Sequence, residues 1–244
     1  MRAERDGAGF RLSGTKVFIS NAPDADVYVM FARTSADAGA RGITAFIVPG
    51  DAPGLTGQAL DLMSAHPIGR LQLDGVVVRE GQVLGEVDGG FKLAMRTLDL
   101  FRPSVGANVI GMAAAALDAA ISYAANRQAF GRPIKDFQAV SHQVAQVATA
   151  LQAARALVYQ AAEAYDRGDE HVGRQSAMAK LFATETAQQV VDVALQVHGA
   201  AALERGHLLE HLYREVRAPR IYEGTSEIQR EIIARDLFRG RARP

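Results

Sequence analysis

The sequence predicts an α+β fold, in which a partial antiparallel β domain, about residues 1–86, is followed by a helical bundle, about residues 87–244. Two observations carry this prediction. In the first part, short β-branched and aromatic runs are separated by turn residues. From about Gly89 onward, apolar residues instead recur at alternating three- and four-residue steps, which is the period of amphipathic helices.

Four strands are predicted in the first part, at residues 17–19, 27–31, 43–48 and 70–74. Turn signals such as Pro49-Gly50 and Pro53-Gly54 separate them. This spacing favours an antiparallel sheet or a small barrel over alternating βα units. No G-x-G-x-x-G fingerprint follows a strand and no P-loop occurs, so any nucleotide is expected to be held in another way.

Five helices are predicted in the second part. The first has Pro103 in its first turn and ends near Asn126. The second carries an apolar stripe and is placed between Asp136, as its N-terminal cap, and Gly168. The other three cover about residues 175–196, 208–216 and 226–238. Long helices with short connections form a bundle.

Composition narrows the classes of function. Lys+Arg and Asp+Glu number 27 each, so the zero formal charge gives no broad attraction to nucleic acid or to an anionic membrane. The absence of cysteine excludes disulfides, thiolate metal sites and cysteine nucleophiles, and no metal site is expected. No apolar run is judged long enough to span a bilayer, and no signal-peptide pattern is present. We therefore expect a cytoplasmic location.

Residues 221–229, Ile-Tyr-Glu-Gly-Thr-Ser-Glu-Ile-Gln, form the strongest local motif. Thr225 or Ser226 is suited to cap the helix that follows. Gly224 permits a tight turn or the close approach of a ligand. Glu223 then lies before a helix N-terminus and beside apolar residues, where desolvation raises the pKa of a carboxyl group toward that of a general base. Taken alone, such a glutamate is more often an ordinary solvated residue in a capped turn.

This segment closely resembles the Y-E-G-T-S-x-I-Q signature of the FAD-dependent acyl-CoA dehydrogenases, in which the glutamate abstracts the substrate α-proton. Residues 127–133 resemble the family's R-x-x-F-G-x-P loop, residues 14–21 its middle-domain strand, and residues 98–103 its first bundle-helix motif. The matches follow the family's order over nearly the whole chain. The resemblance implies fatty acid metabolism, with flavin-dependent α,β-dehydrogenation of an acyl-CoA thioester to the 2-enoyl-CoA.

The resemblance also implies a role for each matching residue. Glu223 takes the position of the catalytic base, while Asp99, Arg102 and Gly224 take positions near the substrate. Arg127 and Phe130 correspond to residues that reach the FAD of a neighbouring subunit. The other residues assigned to FAD binding are Gln138, Gln196, Gly199, Ala200, Thr225, Glu227, Phe18 and Ser20.

Two departures from the family pattern affect these expectations. The family's Q-x-x-G-G-x-G segment has alanine here at Ala200 and Ala202, and the methyl groups crowd a backbone approach to the FAD phosphates. In addition, the family's N-terminal helical domain and its L-T-E-P-x-A-G-S-D loop have no match before Gly7. We therefore expect this chain alone to bind FAD weakly and to show little dehydrogenase activity.

The implied partners are an acyl-CoA substrate and an electron-transfer flavoprotein that receives the electrons. A homodimer or homotetramer is expected through the bundle, or else a hetero-oligomer with a chain that supplies the missing N-terminal domain. Two alternatives stay open: an acyl-CoA oxidase-type enzyme on the same fold, and a truncated or partner subunit that is inactive alone. Oxygen consumption and flavin absorbance, respectively, distinguish them. The acyl chain is not specified.

Overall fold

The structure is a computed structural model that describes residues 1–64 and 66–239. Contacts divide the chain into two compact units, Met1–Thr97 and Leu98–Pro244. Each unit has its own core of buried apolar residues. A sheet in one unit and a helical bundle in the other confirm the predicted α+β class.

Among the described residues of the first unit, seven strands form a sheet with the order β5-β6-β2-β1-β3-β4-β7. Neighbouring strands are antiparallel, except that β1 and β3 share a parallel pairing. Alternate residues of β6 are buried, which is the pattern of a sheet with one face on a core. The strands are β1 (Arg2–Asp6), β2 (Gly9–Ser20), β3 (Val27–Arg33), β4 (Ile43–Pro49), β5 (Leu55–Leu60), β6 (Ile68–Arg79) and β7 (Val83–Leu84).

As far as residue 239, the second unit is built by five α-helices, the first of which begins before the unit's boundary. They are α1 (Gly90–Asn126), α2 (Gln138–Asp166), α3 (Val172–His198), α4 (Leu208–Glu215) and α5 (Ser226–Leu237). Alanines such as Ala113, Ala154 and Ala183 are fully or almost fully buried in the common core. Small side chains at these positions let the helix axes approach closely.

Helix α1 differs from its prediction, because Pro103 lies in its interior and not in its first turn. Proline has no N–H to donate to the carbonyl four residues earlier, which here is that of Asp99. Ser176 of α3 supplies a replacement, since its Oγ donates to the Asp99 carbonyl oxygen at 2.7 Å. This bond between two helices allows α1 to continue through the proline with the carbonyl satisfied.

The predicted helix ends are partly correct. Asp136 lies in a 3-10 turn and does not cap α2, whose N-cap is Phe137, without a side-chain hydrogen bond. Gly168 does follow the end of α2, with φ 68°. Thr225, and not Ser226, caps α5 by accepting a hydrogen bond from the Ile228 N–H at 3.4 Å.

Helix α1 also corrects the prediction on apolar runs. Within residues 1–64 and 66–239, it is the one helix long and apolar enough, by length and composition, to cross a membrane. A buried core helix satisfies the same criterion. Val109, Ala113, Ala116 and Ala120 of α1 are all buried in the bundle core, so packing between helices accounts for part of its apolar composition.

Candidate active site

Glu223 lies in the short loop before α5, in a backbone conformation that is rare for a residue with a side chain. Its φ is 53°, and that of Gly224 is 92°. A left-handed conformation costs a non-glycine residue about 1–2 kcal/mol, so the surrounding structure must hold it. Glycine is required next, because a Cβ at Gly224 would lie 2.7 Å from Gln229 Nε2.

Three buried side chains from three helices hold this turn through its carbonyl groups. Arg102 Nε of α1 donates to the Glu223 carbonyl oxygen at 3.2 Å. Lys180 Nζ of α3 donates to the Gly224 carbonyl oxygen at 2.8 Å. Gln229 Nε2 of α5 donates to both carbonyls, at 3.1 and 2.8 Å. All three donors are at most 3% exposed, so the turn is fixed from inside the bundle.

The side-chain carboxylate of Glu223 differs from its backbone carbonyl in hydrogen bonding. Its Oε2 atom is buried and accepts no hydrogen bond from any residue that the structure describes. Burial raises the pKa of Glu223, while the charges of Arg102 and Lys180 oppose that rise. The group therefore combines partial desolvation, a free acceptor atom and two nearby cations, which suits a carboxylate that takes up a proton.

Asp99 and Arg102 lie together on one turn of α1. Arg102 Nη1 is 3.3 Å from Asp99 Oδ1, and Asp99 is partly buried. Burial raises the pKa of Asp99, and the Arg102 charge opposes the rise. Since Arg102 also bonds to the Glu223 carbonyl, it links Asp99 to the Glu223 loop.

A second network joins the start of α5 to α3. Ser226 Oγ donates to Glu185 Oε1 at 2.6 Å, and Arg220 Nη2 is 2.7 Å from Glu185 Oε2. Burial of Glu185 acts to raise its pKa, but the bonds from Ser226 and Arg220 outweigh burial and lower it. Glu185 thus anchors both sides of the Glu223 loop.

The residues assigned to FAD lie mostly at the other end of the bundle. Arg127 follows α1. A short hairpin, in which the two-residue strands β8 (Gln128–Ala129) and β9 (Arg132–Pro133) pair, then leads toward α2. Phe130 is at its tip with φ 51° and is 95% exposed, with its ring edge-on to Phe137 at a centroid separation of 6.1 Å.

The end of α3 lies beside this loop. The His198 ring stacks on the Tyr123 ring of α1 at a centroid separation of 4.3 Å. The Tyr123 carbonyl oxygen accepts a hydrogen bond from the Arg127 backbone N–H at 2.8 Å. His198 Nδ1 is 2.8 Å from the Ala194 carbonyl oxygen, so the buried ring is a packing residue. The neighbouring residues assigned to FAD, namely Gln196, Gly199 and Ala200, are exposed, as is Gln138 at the start of α2.

The two groups of residues are far apart within the chain. At about 1.5 Å of rise per residue, α1 covers roughly 37 Å between Arg102 and Arg127. By the same measure, α3 covers roughly 24 Å between Lys180 and Gln196. We call the first group the base end and the second the loop end of the bundle.

The remaining residues assigned to FAD lie at the base end or in the first unit. Thr225 and Glu227 lie at the base end, where Thr225 caps α5 and Glu227 pairs with Arg230 at 3.4 Å. Phe18 and Ser20 lie on β2 in the first unit, near a register shift between Val17 and Ile19. Phe18 has φ 61° there and is 69% exposed.

Sequence reasoning missed Lys180 and Glu185 and gave Gln229 no role. A signal for Lys180 existed, because it is a lysine in a run of small and apolar residues, Ala177-Met178-Ala179, on a face of α3 that is buried. Lysine is almost never fully buried without a partner. Its position opposite a residue more than forty positions away could not be read from the sequence.

Comparison with known proteins gives the family. Residues 88–238 match the acyl-CoA dehydrogenase C-terminal domain, and residues 1–76 match the acyl-CoA dehydrogenase middle domain. The chain is 42% identical over 240 residues to a 3-(aryl)acrylate reductase of Clostridium sporogenes, covering 97% of this chain and 63% of that protein.

Solved structures agree. Butyryl-CoA dehydrogenase from Megasphaera elsdenii superposes with a TM-score of 0.93 at 35% identity, covering 97% of this chain and 62% of that one. An FAD complex of PigA gives 0.94 at 31% identity, covering 98% and 63%. The chain thus spans about three fifths of the length of the relatives it matches. It belongs to the acyl-CoA dehydrogenase family.

Proposed function

We propose that this chain provides the catalytic base and part of the cofactor site for flavin-dependent α,β-dehydrogenation of an acyl-CoA thioester. The observation that carries the proposal is the Glu223 carboxylate, which is partly desolvated and accepts no hydrogen bond at its buried oxygen among the described residues. A carboxylate held in this way is poised to accept a proton from a carbon acid.

In the proposed reaction, Glu223 removes the α-proton of the thioester. The β-hydrogen leaves with its electron pair, and the electrons of the α C–H bond form the new double bond. Bound FAD supplies the acceptor for that hydride. The Glu223 backbone N–H donates to no acceptor within the described part of the chain, and we assign it to the thioester carbonyl oxygen, where it stabilises developing negative charge.

The residues of the loop end fit FAD by their chemistry. Arg127 offers a planar cation of the kind that binds diphosphates in a bidentate manner. Phe130 offers an exposed ring, at 95% exposure, for stacking on an aromatic system. Gly199 has φ 66°, and no atom lies within 4 Å of where its Cβ would be, so a ligand can approach the backbone there.

The separation between the two ends favours a shared cofactor site. Roughly 37 Å of helix lies between Arg102 and Arg127. We therefore propose that the chain forms a homodimer or a dimer of dimers, in which the loop end of one subunit contributes to the FAD site of another. We propose an electron-transfer flavoprotein as the electron acceptor.

A second candidate is the reverse reaction, reduction of an α,β-double bond. The 42% identity to a protein named 3-(aryl)acrylate reductase favours it. The same geometry serves this direction, because a carboxyl group whose pKa is raised can return a proton to the α-carbon. An enzyme with this role would reoxidise reduced flavin with an arylacrylate or its thioester.

One experiment separates these functions. The FAD-loaded protein is mixed anaerobically with a panel of saturated acyl-CoA thioesters, and flavin absorbance is followed together with the formation of enoyl-CoA. The dehydrogenase proposal predicts bleaching and stoichiometric enoyl-CoA. Bleaching that occurs only with a reductant, and is reversed by an arylacrylate, would assign the reductase. Rapid reoxidation of the reduced flavin after oxygen is admitted would indicate an oxidase.

A further inference from the structure

The two cations nearest Glu223 form hydrogen bonds with its backbone and not with its carboxylate. Arg102 bonds to the Glu223 carbonyl, and Lys180 bonds to the Gly224 carbonyl. The carboxylate Oε2 is left without a donor among the described residues. The site thus provides positive charge near the base without an ion pair that would occupy the acceptor atom.

The Gly224 carbonyl oxygen has a second donor besides Lys180. Gln229 Nε2 already donates to the Gly224 carbonyl oxygen at 2.8 Å, the same distance at which Lys180 Nζ does. Lys180 is 0% exposed, and among the described residues it forms no ion pair. Burying an ammonium group without an ion-pair partner destabilises a fold, so an apolar residue here would serve packing better.

Resting on the proposed function, we propose that Lys180 is a positioning residue for Glu223. Its ammonium group fixes the left-handed Glu223–Gly224 turn through the Gly224 carbonyl, and its charge keeps the nearby carboxylate in the ionised form that accepts the α-proton. Arg102 contributes charge from α1, and Lys180 contributes it from α3.

The charges around Lys180 come from every element of this site. Glu223 faces it from the loop, Arg102 from α1, Glu185 from its own helix and Glu227 from α5. The carboxylates favour the ammonium form and Arg102 opposes it, while burial lowers the pKa of Lys180 to about 8. At neutral pH the ammonium form therefore predominates, and its charge acts on the base.

The test measures the pKa of Glu223 directly, by ¹³C NMR of the glutamate side-chain carboxyl groups, with Glu223→Gln used to assign the signal. Lys180→Met removes both the donor and the charge. Lys180→Gln keeps a donor for the carbonyl but removes the charge, and it reports on the charge even if methionine prevents folding. Lys180→Arg restores a cation. Lys92→Met removes an exposed lysine of α1 as the control.

We expect Lys180→Met and Lys180→Gln to raise the pKa of Glu223, on the order of one unit, because a nearby cation stabilises the carboxylate. Lys180→Arg should bring the value back toward that of the wild type, and Lys92→Met should leave it unchanged. In FAD-loaded enzyme, the acid limb of the rate of flavin reduction should move to higher pH by the same amount. A Glu223 pKa that is unchanged in folded Lys180→Gln overturns the inference.

Failure of the proposed function gives a different result. If Glu223→Gln reduced flavin at the wild-type rate, Glu223 would not be the base, whatever the NMR titrations of the lysine variants showed. If Glu223→Gln is inactive and Lys180→Gln leaves the Glu223 pKa unchanged, only the role of Lys180 is wrong.

Discussion

The base end and the loop end of the bundle differ in how complete they are within one chain. At the base end, Arg102, Lys180 and Gln229 are buried and converge on two adjacent carbonyl groups. At the loop end, Arg127 and Phe130 are exposed, and the Phe130 ring is edge-on to that of Phe137.

This difference indicates which part of the function each chain can preorganise. The Glu223 turn is held by the interior of a bundle, so its geometry is fixed at folding. The loop end offers a cation, an aromatic ring and an open glycine, and we propose that these gain partners when a ligand or another surface is present. The predictions below test this contrast, beginning with the largest effect.

The base end is tested most strongly by Glu223→Gln. The amide has nearly the same shape but cannot accept the α-proton, so the rate of flavin reduction by acyl-CoA should fall on the order of 10²–10⁴-fold. Stopped-flow absorbance measures the rate. Glu231→Gln, an exposed residue of α5, is the matched control and should keep the wild-type rate. A Glu223→Gln enzyme with near wild-type turnover would remove Glu223 from the mechanism.

The loop end is tested by Arg127→Ala. Loss of a charge-assisted hydrogen bond to the diphosphate should weaken FAD binding about 10- to 100-fold. Fluorescence titration with FAD gives the affinity, with Arg235→Ala as a control at an exposed arginine of α5. An unchanged affinity would exclude Arg127 from the cofactor site.

A mixture of variants tests whether the two ends act in different subunits. In a hybrid of Glu223→Gln and Arg127→Ala chains, one site would receive an intact glutamate and an intact arginine. Co-expression of the two should therefore restore part of the activity that each lacks. No recovery in hybrids confirmed by mass would contradict the shared site, and so would a stable monomer in light scattering of the wild type.

The bond through which α1 tolerates its proline is tested by Ser176→Ala. The variant leaves the buried Asp99 carbonyl without its replacement donor, so the free energy of unfolding should fall by about 1–3 kcal/mol. Urea denaturation measures the loss. Ser104→Ala is the control, because this exposed hydroxyl also bonds to a carbonyl of the same helix, that of Phe101 at 2.6 Å. Equal effects in the two variants would deny Ser176 a special role.

The last prediction concerns the pH dependence of stability. The pKa of Lys180 is about 8 in the folded chain, against an ordinary value of 10.5. Between these values the unfolded chain binds a proton that the folded chain has released, so stability should rise with pH across that window. Urea unfolding of the wild type and of Lys180→Gln should show this rise only in the wild type. Parallel pH profiles would contradict it.

The sequence located the residues that we propose for the site, but not the residues that hold them in place. Glu223, Asp99 and Arg102 belong to recognisable segments, and local periodicity located the long helices. Lys180 and Glu185 could not be assigned in this way, because their importance depends on contacts with residues about forty positions away. Local signals therefore led to the residue that we propose as the base, and only tertiary structure identified what holds it.

Errors at the element ends have a similar origin. Pro103 was placed in a first turn because proline lacks an N–H, yet Ser176 compensates for that loss from another helix. Strands β1, β5 and β7 were not predicted, since β1 is rich in charged residues, β5 is mostly exposed and β7 has two residues. Their pairing with longer neighbours, and not their own sequence, makes them strands.

We infer that the bundle holds Glu223 as a partly desolvated carboxylate ready to accept a proton. The most direct test is the ¹³C NMR titration of its carboxyl group in the wild-type chain, which requires neither FAD nor substrate. Our account predicts a pKa above the ordinary value of 4.5, because burial outweighs the two nearby cations. A pKa at or below 4.5 would contradict it.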